Sequence, residues 1–85
     1  MSLSSKATLS VALAKARTAV QLDQAQSHDG AKRYYIEVIG LLSRVISRAA
    51  HEKDVKRLED IRRAYTERIQ QLDELMAEAG GVTLI

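Results

Sequence analysis

Residues 34–50, YYIEVIGLLSRVISRAA, carry apolar side chains around more than half of a helical circumference. A helix with so wide an apolar surface must be covered on two sides, or it exposes a surface that awaits a partner. The stretch therefore predicts a helix over about residues 31–50 that packs between two others.

Helical patterns flank this central stretch on both sides. The first, over about residues 5–26, has a shallow apolar face because Ala12, Ala16 and Ala19 lie on it, so the central helix can approach closely. The third, over about residues 54–79, repeats apolar residues at alternating spacings of three and four, which is typical of helical bundles. The members of this seam are Leu58, Ile61, Tyr65, Ile69, Leu72, Met76 and Ala79.

Two turn signals separate the three patterns, at residues 27–30 and 51–54, and Gly80 is the expected C-cap of the third helix. No stretch alternates with a period of two, so no strand is predicted. Short connections make neighbouring helices antiparallel. The sequence thus predicts an all-α fold, an up-down-up antiparallel three-helix bundle forming one domain over residues 1–85, with residues 80–85 as a tail.

Asp23 interrupts the apolar face of the first helix. An unpaired carboxylate is costly to bury, by several kcal/mol, so the side chain must reach solvent or find a donor. We expect it to pair with a Lys or Arg side chain and not to serve in catalysis.

Composition excludes several classes of function. Thirteen Lys and Arg against eleven Asp and Glu leave a formal charge of +2, too small and too mixed in sign to favour a nucleic-acid partner. The chain has no Cys, and its two histidines, His28 and His51, lie in predicted turns, so we expect no metal, no cofactor and no catalytic residue. No apolar run is long enough to cross a bilayer. Binding through helix surfaces is the remaining class.

Three segments resemble one known family. They are Ala19-Val20-Gln21-Leu22-Asp23, then Ala31 with Tyr35, and Tyr65-Thr66-Glu67-Arg68 with Leu72. Their order and spacing resemble the MIT (microtubule interacting and trafficking) domain, whose patterns are A-[IV]-x-L-D, A-x-x-x-Y and Y-x-x-R-A-E-x-L. The resemblance covers about residues 10–76 and implies a three-helix bundle.

The resemblance also implies a function. MIT domains are non-catalytic modules that bind C-terminal tails of ESCRT-III subunits and thereby recruit a parent ATPase, protease, deubiquitinase or kinase to membrane-remodelling polymers. We therefore expect a monomer in isolation that binds ESCRT-III tail motifs, does not insert into membranes, and is cytoplasmic and endosome-associated through its partners. The sequence does not identify the parent protein.

Family members bind tails in two grooves, and a helical wheel anchored on Val20 and Thr66 assigns residues to each. The groove between the first and third helices, called groove 1/3, is expected to contain Leu13, Arg17, Val20, Gln24, Ala64, Arg68, Gln71 and Leu75. The groove between the second and third helices, called groove 2/3, is expected to contain Ile39, Ser43, Ile46, Ala50, Arg62, Thr66, Gln70 and Asp73.

The chain departs from the family pattern in ways that weaken groove 2/3. Arg68-Ile69-Gln70 replaces R-A-E and lacks an acid, while Thr66 replaces a leucine and so removes apolar area. Arg17 and Arg68 give groove 1/3 a basic rim, which predicts a preference for segments with carboxylates.

One alternative from a different class stays open. The wide apolar arc of the central helix and the seam of the third could instead make this a self-associating structural module without a peptide ligand. Such a dimer would bury Ile39 and Ile46, and sedimentation would separate it from a monomer with peptide affinity.

Overall fold

The computed structural model describes residues 4–81, which form three helices joined by short turns. They are α1 (Ser5–Gln24), α2 (His28–Arg48) and α3 (Glu52–Gly81), and no strand occurs among the described residues. The all-α prediction is confirmed, and the helix contacts are those of a three-helix bundle. Of the predicted tail, residues 80 and 81 belong to α3, and residues 82–85 lie outside the described residues.

Ser4 caps the start of α1 by accepting a hydrogen bond from the Ala7 amide at 3.1 Å.

The turn between α1 and α2 is tighter than the sequence predicts. At the C-terminal end of α1, Gln26 adopts a left-handed φ of 63°, and the Ser27 amide donates to the Leu22 carbonyl at 2.9 Å. This is a Schellman-type ending, which satisfies the last carbonyls and lets α2 begin as early as His28.

Gly30 lies inside the first turn of α2 and not in a loop. A Cβ atom at this position would approach the Ser27 Oγ to 3.2 Å and the Leu22 Cδ1 to 3.3 Å. A side chain here would require both neighbours to shift slightly, so the glycine eases close packing against Leu22 of α1, and its φ is not positive. Helix α2 begins three residues before the predicted start at about residue 31.

The third helix is longer at both ends than predicted. The His51 carbonyl accepts the amides of Asp54 and Val55, each at 3.1 Å, so helical bonding starts at Glu52. The predicted C-cap at Gly80 is wrong, because α3 keeps its helical bonding through Gly81.

Helix α2 is the central element, as the sequence predicts. It contacts both α1 and α3, whereas within the described residues no Cα atom of α1 lies within 8 Å of a Cα atom of α3. Ala12, Ala16 and Ala19 are buried against α2, which confirms the close approach expected from the alanine face. The other buried apolar residues are Ala31, Tyr35, Val38, Leu42, Val45, Leu58 and Leu72.

Several residues predicted on the apolar faces are nevertheless exposed. On α3 the seam members Ile61 and Ala79 are exposed, and so are Leu13 and Val20 on α1. For Leu13, Val20 and Ile61 the reason is geometric: the backbones of α1 and α3 stand apart, so these side chains stay uncovered, although the longer Arg68 side chain reaches across.

Candidate functional site

The space between α1 and α3 is an open groove with apolar walls. Leu13, which is 54% exposed, and Val20 lie on its α1 side. Ile61 and Leu75 lie on its α3 side, because each is seven residues from Arg68, whose side chain reaches across to α1. Of six exposed large apolar side chains among the described residues, these four are the ones that helical spacing assigns to groove 1/3.

The structure places the predicted members of groove 1/3 at the surface. Leu13, Arg17 and Val20 share a shallow depression on α1, with buried Ala16 at its base. The other exposed members are Gln24, Ala64, Gln71 and Leu75, whereas Arg68 is half-buried.

Ile61 also belongs to this groove, although the sequence analysis placed it in the core. Its position seven residues before Arg68 was the available signal, because residues at that spacing share a helix face.

A polar network crosses groove 1/3 between Val20 and Leu75. Arg68 binds Asp23 through two parallel hydrogen bonds of 2.8 Å, from Nε to Oδ2 and from Nη2 to Oδ1, and the Tyr35 hydroxyl donates to Oδ2 at 2.9 Å. The predicted pairing of Asp23 with a basic side chain is thus confirmed. The Arg68 guanidinium also donates to Gln71 Oε1 at 2.9 Å, and the Tyr35 ring stacks on Tyr65 with centroids 5.3 Å apart.

The contacts within the network shift the pKa values of its three titratable members. The hydrogen bonds from Arg68 hold the pKa of Asp23 below its ordinary value, against the opposing effect of burial. Burial, together with the hydrogen bond to Asp23, raises the pKa of Tyr35 to about 12. The bond to Asp23 also raises the pKa of Arg68. The Asp23 carboxylate neutralises the charge of Arg68. Of the two cations predicted on the rim of groove 1/3, Arg17 is therefore the one without an ion-pair partner among residues 4–81.

The Tyr35 hydroxyl should make stability fall at high pH. The folded state holds this proton more tightly than the unfolded chain, so its contribution is complete below pH 10 and is lost as the pH rises towards about 12. Up to roughly 3 kcal/mol would disappear over that window. Urea unfolding of the wild type and of Tyr35→Phe across this range is the measurement. The two curves should converge as the pH rises, and a constant separation would contradict the assignment.

Groove 2/3 is crossed by polar contacts near both ends. Arg62 Nη1 donates to Ser43 Oγ at 3.0 Å, and Lys32 Nζ lies 2.6 Å from Asp73 Oδ1. Between them the Thr66 hydroxyl donates to the Arg62 carbonyl at 2.8 Å. The remaining predicted members are half-buried Ile39 and Ile46 and exposed Ala50 and Gln70.

Ile36 is a further apolar residue of groove 2/3, and the sequence analysis did not include it. It is 50% exposed and lies one turn from Lys32 on the same face of α2. Among the large apolar residues of the stretch 34–50, it is the one that is exposed. The other large ones are buried or half-buried.

Among residues 4–81, no group of three or more His, Cys, Asp and Glu side chains could hold a metal ion. His28, at the start of α2, has a buried Nδ1 atom without a hydrogen-bond partner in the described part of the chain, and His51 is exposed. No helix of that part is long and apolar enough to span a bilayer.

Comparison with known proteins identifies a family through residues 9–74, more than half of the chain. These residues match the model of the MIT (microtubule interacting and transport) domain. No curated protein and no solved structure matches the chain. The match contains the whole Asp23, Tyr35 and Arg68 network and the residues assigned to groove 1/3 except Leu75. The chain therefore belongs to the MIT domain family and contains a protein-interaction module that binds peptide motifs of partner proteins.

Proposed function

We propose that this domain binds C-terminal tail motifs of ESCRT-III subunits in the grooves between its helices, and so recruits a larger parent protein to endosomal or other membrane-remodelling sites. The family supports the choice of partner, and the domain itself acts without catalysis. The observation that carries the proposal is the row of exposed apolar side chains along groove 1/3.

Groove 1/3 is the better-suited of the two. Its four apolar side chains, Leu13, Val20, Ile61 and Leu75, can each gain roughly 1 kcal/mol when an apolar anchor covers their exposed part. A contact of this size is small compared with a standard interface, so we expect affinity in the micromolar range. Arg17 supplies a positive charge at the rim, which favours segments with a carboxylate beside the anchors.

Groove 2/3 is a weaker candidate. A helix docking there would cover Ile36 and Ile39, but it would lie over two polar contacts, Arg62 with Ser43 and Lys32 with Asp73. Displacing these pairs costs part of the energy gained from apolar contact. Self-association through α2 has less support still, because α1 and α3 cover nearly all of its apolar arc.

Two valines on α1 provide a matched test of the groove. Val20 and Val11 are both 38% exposed, but nine residues, or two and a half helical turns, place them on opposite sides of α1. We expect Val20→Asp to weaken binding of fluorescent ESCRT-III tail peptides by at least about tenfold, since a carboxylate is costly to bury. Val11→Asp should leave affinity unchanged. Fluorescence anisotropy measures both.

The same assay with Ile36→Asp distinguishes the grooves. If only Ile36→Asp weakens binding, the tail occupies groove 2/3 and the preference for groove 1/3 is wrong. Equal affinity for the wild type and all three variants would contradict the grooves as the binding site.

A further inference from the structure

A second concave surface lies at the base of the bundle, where α1 begins, α2 ends and α3 begins. Its apolar floor is formed by Leu9, Val45 and Leu58, one residue from each helix. Val45 and Leu58 are buried and Leu9 is half-buried, so the floor is continuous with the core. We call this surface the basal pocket.

The rim of the basal pocket is predominantly basic. Lys6, Arg48 and Arg57 line it together with one acid, Asp54. Neither Lys6 nor Arg57 has an ion-pair partner within residues 4–81. Their charges are therefore available to a ligand that enters from outside.

The basic rim belongs to a wider separation of charge along the molecule. We divide the bundle at the hydrogen bond between Arg62 and Ser43. The end that contains the basal pocket has a formal charge of +4, and the rest of the chain has −2. The basic residues of the pocket end are Lys6, Arg44, Arg48, Lys53, Lys56, Arg57, Arg62 and Arg63, and the acidic ones are Glu52, Asp54, Glu59 and Asp60. An anionic partner is therefore attracted towards the end that contains the pocket.

We propose that the basal pocket is a docking site for an acidic peptide segment in which an apolar side chain is flanked by carboxylates. The apolar side chain packs on the Leu9, Val45 and Leu58 floor, and the carboxylates meet Lys6 and Arg57. An apolar side chain alone would leave Lys6 and Arg57 without a counter-charge, and carboxylates alone would leave the apolar floor exposed to solvent.

The charge pattern favours a peptide over a bilayer surface. Asp54 stands on the rim, and Glu52, Glu59 and Asp60 are interleaved with the basic residues of the same end. A uniformly anionic membrane would repel these carboxylates, whereas a peptide can place its acids opposite Lys6 and Arg57 only.

The basal pocket adjoins the lower end of groove 1/3, where Leu13 and Ile61 lie one turn from Leu9 and Arg57, but it is distant from Val20. Fourteen residues separate Lys6 from Val20, which corresponds to roughly 21 Å along α1. Substitutions at the two places can therefore be tested independently.

Binding of two synthetic peptides by the whole 85-residue chain tests this proposal. One peptide is Glu-Leu-Glu-Leu-Glu, the other is Gln-Leu-Gln-Leu-Gln, and both have blocked ends. We expect the acidic peptide to shift the backbone amides of Leu9, Ala49 and Arg57 in two-dimensional NMR spectra. We also expect it to bind about five- to tenfold more tightly than the neutral one, with a difference that shrinks in high salt.

Charge reversals at two arginines locate the effect. Arg57→Glu should remove the preference for the acidic peptide, and Lys6→Glu serves as a second variant should the first fail to fold. Arg63→Glu is the matched control, because it changes the net charge equally at the same end but lies outside the pocket. It should reduce affinity much less.

Three results would overturn the proposal. Equal losses in Arg57→Glu and Arg63→Glu would mean diffuse attraction without a pocket. Loss of acidic-peptide binding in Val20→Asp alone would place the peptide in groove 1/3. Binding to phosphatidylserine vesicles that needs Arg57, with no binding of the acidic peptide, would make the pocket a membrane contact. Retained ESCRT-III tail binding in Arg57→Glu would show that the proposed function stands whatever the fate of the pocket.

Discussion

Replacement of Arg68 by Ala is expected to lower the free energy of unfolding by about 2 to 3 kcal/mol. The substitution leaves the Asp23 carboxylate, whose side chain is only 12% exposed, without its bidentate partner. The Tyr35 hydroxyl cannot replace two charge-assisted bonds. Because the Arg68 side chain is 37% exposed, we place the effect below that of a fully buried pair. Urea unfolding followed by far-ultraviolet circular dichroism measures it.

Arg17→Ala is the control for loss of an arginine on the same groove. Arg17 is exposed and makes no described ion pair, so its removal should change stability by less than about 0.5 kcal/mol. A double-mutant cycle with Asp23→Ala should show that the double variant loses less stability than the sum of the two single losses. Equal stability of Arg68→Ala and Arg17→Ala would contradict the role assigned to the network.

The network also changes how Arg68 can be tested in binding. The sequence predicts that Arg68 belongs to a basic rim, but in the structure Asp23 neutralises its charge. Charge reversal at Arg68 would place two carboxylates together and disturb the fold as well as any binding. Arg17→Glu is therefore the cleaner test of a preference for acidic segments.

Leu72→Ala is expected to destabilise the domain by about 3 kcal/mol, a large part of the stability of a chain of this size. Leu72 has no exposed surface and packs with Ala19, Ala31 and Tyr35, so truncation leaves a cavity lined by α1, α2 and α3. Ala19 and Ala31 are too small to fill it. Chemical denaturation at neutral pH provides the measurement.

Leu75→Ala is the matched control, since it makes the same chemical change three residues later on the same helix. Leu75 is 40% exposed, so we expect a stability loss below about 1 kcal/mol together with weaker binding of ESCRT-III tail peptides. Truncation of Leu72 should therefore lower stability, whereas truncation of Leu75 should mainly weaken peptide binding. A stability loss at Leu75 as large as that at Leu72 would contradict the exposed position of this side chain in groove 1/3.

The main architecture could be predicted from the sequence because it depends on periodicity. The wide apolar arc of residues 34–50 required cover on two sides, and α2 is in fact the helix between the other two. The alanines of α1 predicted its close approach to α2. An acid on an apolar face required a donor, and Asp23 has one in Arg68.

The remaining features depend on distances that periodicity does not contain. Arg68 is 45 residues from Asp23, so the sequence predicted a basic partner without identifying it. Ile61 matches the seam pattern but is exposed. The pattern does not reveal that the backbones of α1 and α3 stand apart. Gln26 adopts a left-handed conformation that sequence would assign to glycine, whereas Gly30 serves packing instead.

A two-dimensional NMR titration of the domain with ESCRT-III C-terminal peptides tests the central claim most directly. We predict that the backbone amides of Leu13, Val20, Ala64 and Leu75, on the two walls of groove 1/3, shift in a saturable manner at micromolar peptide. Shifts confined to the surroundings of Ser43 and Thr66 would keep the function but move it to groove 2/3. If no amide shifts even at millimolar peptide, the proposal that this domain binds ESCRT-III tails is contradicted.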